Sequence, residues 1–144
     1  MQALISLGSN LGSRRATLDQ AAAELNRLPQ TRVLKRSPWV ETAPESPGDG
    51  GAYLNGAALV ETQLRPERLL EELLVLERRF GRTRRQRART LDLDLILCGQ
   101  EQRRSRALTL PHPRFHTRAF VLGPGAAVAG PLRDPVSGRT LAEL

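Results

Sequence analysis

The chain has 144 residues with 40% hydrophobic, 26% charged and a single cysteine, enough apolar content for one folded domain over 1–144 and too few thiols for a disulfide scaffold. Its formal charge of +7 comes from 22 basic residues against 15 acids, with Lys35 the only lysine, which points to an anionic ligand or a well-solvated surface. No apolar run nears the ~20 residues of a membrane helix, the first residues lack the pattern of a secretory signal, and lone Cys98 suits a reducing compartment, so a cytoplasmic location is expected.

In chain order, residues 3–7 read as a short buried strand ending in the turn Gly8-Ser9-Asn10-Leu11-Gly12. Leu18, Ala21, Ala22, Leu25 and Leu28 recur at helical spacing until Pro29 stops them. Segment 31–41 reads as a second strand interrupted by Pro38, which must stand at an edge or bulge. From Glu41 to Ala52 the composition turns to proline and glycine, a long loop of the sort that carries function. Tyr53 to Glu61 alternates as a third strand. Pro66 opens a helix carrying Leu69, Leu70, Leu73, Leu76 and Phe80 and ending at Gly81. An arginine-rich loop follows, then the strand Leu91–Leu97, a polar hairpin around Gly99-Gln100, a short extended stretch at Leu108–Pro111 and a last helix at about Arg114–Val128.

The order strand, helix, strand, strand, helix, strand predicts an α+β, ferredoxin-like βαββαβ antiparallel sheet with helices packed on one face and a C-terminal helix. The opposite face is then available for ligands.

Leu91-Asp92-Leu93-Asp94-Leu95 is the sharpest chemical signal. On a strand, residues two apart share a face at ~7 Å, so Leu91, Leu93, Leu95 and Leu97 are expected in the core with Asp92 and Asp94 together outside. Two hard oxygen donors at that spacing suit magnesium, which takes its other ligands from water and phosphates. A half-exposed strand with a polar face fits the spacing equally well. Upstream lie Arg78, Arg79, Arg82, Arg84, Arg85, Arg87 and Arg89, whose guanidinium forks grip phosphate oxygens. Alone, such a cluster reads as a solvated basic loop or a nucleic-acid patch, but aromatics for base stacking are only 3% of the chain.

The turn after the first strand lacks the Gly-Lys-Ser/Thr of a P-loop, so it reads as helix entry, with Gly8 a place where a ligand could approach the backbone. His112 beside Arg118 suits phosphate better than zinc, since Pro113 breaks helical geometry toward His116. Tyr53 and Asn55 share a strand face, putting an aromatic plate beside an amide that both donates and accepts.

Seven segments stand in a telling order: Ile5–Gly12, Glu41-Thr42-Ala43-Pro44, Tyr53-Leu54-Asn55, Leu76-Glu77 with Gly81-Arg82, Arg89-Thr90-Leu91-Asp92-Leu93-Asp94, Pro111-His112-Pro113, and Arg118–Leu122. Together they resemble the family of 6-hydroxymethyl-7,8-dihydropterin pyrophosphokinases, enzymes of folate biosynthesis, across roughly residues 3–122. The resemblance implies pyrophosphoryl transfer from ATP to the pterin hydroxymethyl group. It implies Asp92 and Asp94 as ligands of two magnesium ions, and Arg82 and Arg89 on the transferring phosphates. Glu77, Arg84, Leu95, Thr109, His112 and Arg118 would contact the nucleotide, Glu77 near its sugar. The pterin would stack between Tyr53 and Phe120, with Gly8, Asn55 and the stretch Thr42, Ala43, Pro44 and Glu45 around its edge. The chain departs from the family's pattern at Arg87-Ala88-Arg89, shorter and without the usual tryptophan, and at Leu74, where a glutamine is common.

The expected partners are the two small-molecule substrates, with no nucleic acid, no membrane and a monomeric chain. An RNA-binding ferredoxin-like module and a pterin-binding relative without catalysis remain open at this point.

Overall fold

Every residue of β1 (Gln2–Ser9) beyond Gln2 is buried, which places this strand at the centre of a sheet covered on both sides. The structure, a computed structural model, describes residues 1–10, 12–42, 52–81, 90–113 and 119–144, with the backbone alone for 119–122. β1 pairs antiparallel with β4 (Tyr53–Thr62) on one side and β5 (Asp92–Cys98) on the other. The outer edge beyond β4 holds β2 (Thr31–Arg36) and β3 (Val40–Thr42), giving the order β2-β4-β1-β5 with β3 also beside β4.

The expected single strand over 31–41 is therefore two strands on one neighbour. Pro38 has no N–H for the ladder, and Ser37 carries the pairing across the bend: its N–H donates to the Ala57 carbonyl at 2.9 Å and its hydroxyl accepts from the Ala57 N–H at 2.8 Å. Trp39 then folds over Gly56, where a Cβ would stand 2.3 Å from the indole. The indole N–H and Arg36 both donate to Asp19, holding its carboxyl below the usual range and fastening this bend to the first helix.

That helix, α1 (Arg14–Leu25), buries Leu18, Ala21, Ala22 and Leu25 as their spacing predicts. Helix α2 (Pro66–Arg79) has proline in its first turn and buries Leu69, Leu73 and Leu76. Both pack on the sheet face made by Ile5, Leu7, Ala58, Val60, Leu93 and Leu95. Truncating one of these leucines to alanine costs about 2–5 kcal/mol.

A β-bulge in β5 corrects the expected direction of Leu97. Ile5 faces Leu95 while Leu4 faces Leu97, so Ile96 is the extra residue. Ile96 and Leu97 join Leu4, Ala57 and Leu59 on the opposite face, under Val128, Ala129 and Leu141. Val128 and Ala129 belong to α3 (Ala119–Ala129) and Leu141 to a short 3-10 turn at Leu141–Glu143. The second face is thus not wholly free, because α3 covers one end of it. The proposed start of this helix at Arg114 lies outside the described residues. A small hairpin of β6 (Arg103–Arg104) and β7 (Thr109–Leu110), whose first strand the patterning does not reveal, flanks β5.

Cys98 returns to the helix-covered core after the bulge, and burial pushes its thiol up to about 12. The unfolded thiol ionises near pH 9 and the folded one does not, so this group withdraws stability as pH rises from about 9 toward 12. At pH 8.5 the native thiol should react with a disulfide reagent far more slowly than the urea-unfolded chain. Equal rates would show that Cys98 is open to solvent.

Candidate active site

Residues directly opposite one another in antiparallel strands share a face. Gly8 lies opposite Asn55 on one side and Asp92 on the other; one step along, Ser6 lies opposite Ala57 and Asp94. Three strands thus assemble a polar patch on one half of the face, next to the half packed under Val128, Ala129 and Leu141. β3 extends it, with Thr42 opposite Tyr53 and Val40 opposite Asn55.

Gly8 stands at the centre of that patch, where any side chain would crowd its neighbours. A Cβ there would stand 2.9 Å from Asn55 Oδ1 and 3.3 Å from Tyr53 Cδ1. The Asn55 side chain is buried across the glycine and its amide donates to the Thr42 hydroxyl, while Tyr53 is half-buried beside it. An aromatic ring, an amide and a hydroxyl are thereby fixed together by backbone register.

Asp92 and Asp94 are both half-buried on the same side of β5. His112 approaches this pair, with Nε2 at 4.0 Å from Asp94 Oδ1 and side chains 22% and 33% exposed. The histidine is held there by its own backbone, whose N–H donates to the Ile96 carbonyl at 2.9 Å. A recess of about 220 Å³ opens next to it, lined by Thr109, Leu110, Pro111, His112 and arginines 103 and 104 among others. Arg103 ties this hairpin to α2 by donating to Glu67 at 2.6 Å, which lowers the Glu67 carboxyl and raises the guanidinium.

Two of the expected nucleotide residues have buried side chains. Glu77 is 2% exposed and its Oε2 accepts from the Leu93 N–H at 2.7 Å, so the carboxylate braces β5. Leu95 buries its side chain in the core, leaving only backbone for a ligand to meet. Gly8, Thr42, Tyr53, Asn55, Asp92 and Asp94 share one face by register, while His112 stands 4.0 Å from Asp94 and Thr109 lines the recess beside it. The expected site residues Ala43, Pro44, Glu45, Arg82, Arg84, Arg89 and Arg118 lie outside the described residues, as does the side chain of Phe120 in the first turn of α3.

One residue that sequence reasoning passes over is Arg14, whose Nη1 donates to Glu41 Oε1 at 3.0 Å and to the Ala52 carbonyl at 2.8 Å. It fastens both ends of the stretch 43–51 to α1. Its position in a first helical turn gives no signal of partners 27 and 38 residues away.

The donor set fits a divalent cation that shares its shell with a ligand. Among the described residues no cluster of three or more His, Cys, Asp or Glu side chains could enclose a metal alone. Two carboxylates on one face of a strand suit magnesium, which completes its octahedron with water and phosphate oxygens.

A family model, 7,8-dihydro-6-hydroxymethylpterin-pyrophosphokinase, matches residues 4–130. The chain belongs to this family. It is 39% identical over 99% of its length to a 2-amino-4-hydroxy-6-hydroxymethyldihydropteridine pyrophosphokinase of Synechocystis, covering 73% of that protein. Against the enzyme of the same name from Pseudomonas aeruginosa it is 41% identical over 97% of its length and 87% of the relative. The crystal structure of a protein described as HPPK-DHPS in complex with substrates shares the fold, with a TM-score of 0.72 at 11% identity, covering 99% of this chain and 42% of that one. No described helix is long and apolar enough to cross a membrane.

Gly8→Ala should displace the Asn55 amide and cost about 1–3 kcal/mol through overpacking. The side-chain NH₂ resonances of Asn55 and a denaturation midpoint check it; unchanged resonances would mean the space is there after all.

Proposed function

We propose that this chain transfers a pyrophosphoryl group from ATP to the hydroxymethyl group of 6-hydroxymethyl-7,8-dihydropterin, as its family membership and the named activity of its relatives support. The observation that carries the reading is the cross-strand row Asn55–Gly8–Asp92, with Tyr53 and Asp94 on the same face. A flat heterocycle and a polyphosphate can be held there side by side.

Tyr53 offers its ring to the pterin, with Phe120 as the expected second plate. Asn55, oriented by Thr42, offers an acceptor and a donor to the polar edge of the heterocycle. Ala43, Pro44 and Glu45 are assigned to that edge as well. The ATP side takes Asp92, Asp94, His112 and Thr109, joined by Arg82, Arg84, Arg89 and Arg118 on phosphate. The substrate hydroxyl oxygen bonds to the β-phosphorus, the bond from that phosphorus to the α-phosphate oxygen breaks, AMP leaves, and the hydroxyl proton passes to solvent. Magnesium, two ions in our reading, would be held by Asp92 and Asp94 and would neutralise phosphate charge. The chain's own contribution is positioning and fixed positive charge, with no covalent intermediate. We assign the activity to a monomer in the cytoplasm.

Incubation with the pterin, ATP and magnesium should give AMP and pterin diphosphate in equal amounts, followed by chromatography. ADP as the product, or no product, would end this reading. Asp92→Ala or Asp94→Ala should lower kcat/KM by at least about 10²-fold, the scale for losing one preorganised charge-stabilising group. Both side chains are partly exposed, so stability should stay within about 0.5 kcal/mol of the parent. Undiminished turnover in either variant would remove the carboxylates from the mechanism.

A further inference from the structure

Among the described residues β5 is an edge strand of the sheet, paired with β1 on one side. Its outer edge presents amides and carbonyls that must find partners where they are buried. Leu93 is such a residue, with its side chain in the core and its amide between the two acids of the candidate site. The partner is Glu77, which reaches from the last turn of α2 and accepts the Leu93 N–H at 2.7 Å while only 2% exposed.

A buried carboxylate is a costly way to support a strand unless it does something an apolar side chain could not. The bond it makes here is charge-assisted, short and directional. Asp92 and Asp94 are the immediate neighbours of the peptide it holds, so the height and tilt of Leu93 set where both carboxylates emerge. A shift of half an ångström matters at a site of this kind, where supporting groups orient the ligating ones.

We infer that Glu77 is a positioning residue for the Asp92–Asp94 pair, acting through the Leu93 peptide, and this rests on the assignment of those acids to magnesium and ATP. It controls how tightly the magnesium–nucleotide complex is held and leaves the Tyr53–Asn55 half of the site, carried on β4, unchanged. A residue that served folding alone would alter stability without separating these two halves.

The test compares Glu77→Gln, which keeps an acceptor oxygen at the same reach, with Glu77→Asp, which keeps the charge but withdraws it by one methylene, and Glu77→Leu. Calorimetric titration with magnesium and a non-hydrolysable ATP analogue, and separately with the pterin, is read beside hydrogen exchange at the Leu93 amide. The expected result is loss of 10- to 100-fold in nucleotide affinity for the Asp and Leu variants, the usual scale for a group behind the metal ligands. Leu93 should exchange faster in both, Gln should remain within a few-fold of the parent, and pterin affinity should be unchanged throughout. If Leu fails to fold, the Gln and Asp variants decide the matter. The inference is overturned if Asp binds the nucleotide like the parent despite faster exchange at Leu93, or if Gln loses as much as Asp. A parent chain that does not bind the magnesium–nucleotide complex, or an Asp94→Ala variant that binds it normally, would instead defeat the assignment of the acids.

Discussion

Gly8 is paired on both sides at once, with Asn55 and with Asp92, and the candidate site depends on that double pairing. It brings residues from three distant parts of the chain into one row. A side chain at the centre would collide with the Asn55 amide and the Tyr53 ring, so the row can be level and polar only because its middle member has no Cβ. Asn55 then lies across the glycine and is oriented by Thr42 from the next strand. What looks in the sequence like a turn signal is thus a packing requirement at the next-to-last residue of β1.

The bulge in β5 divides the same face into two regions of opposite character. Strict alternation would send Leu97 toward α1 and α2, and the bulge turns it under α3 with Ile96, while Cys98 resumes the inward direction. One end of the face becomes apolar enough to hold a helix. The other keeps Ser6, Gly8, Asp92 and Asp94, so the bulge, two residues past Asp94, marks where polar residues give way to apolar ones.

Much of this was legible from local pattern. The helical spacing of Leu18, Ala21 and Leu25, proline at the head of α2 and the alternation of Leu91 to Leu95 correspond to strong local physics, and the elements formed there. The resemblance in motif order agrees with the family match. The split at Pro38 was visible only as a break, because its repair uses the Ser37 hydroxyl and a partner 20 residues away. Glu77 and Arg14 show the same limit. Nothing in the residues around a glutamate on a helix says whether it meets solvent, a sugar or the amide of a strand; that depends on how α2 lies along β5. The bulge, likewise, is a matter of how β5 registers on β1 and leaves no mark in the alternation before it.

The remaining proposed residues stand next in sequence to described ones: Arg89 precedes Asp92 by three positions, and Ala43, Pro44 and Glu45 follow Thr42, whose hydroxyl accepts from the Asn55 amide. The described residues next to these stretches are fastened: Glu41 and Ala52 by Arg14, Phe80 by the Leu76 carbonyl, and His112 by Ile96. The described flanks of the proposed residues are thus held by their own hydrogen bonds to α1, α2 and β5.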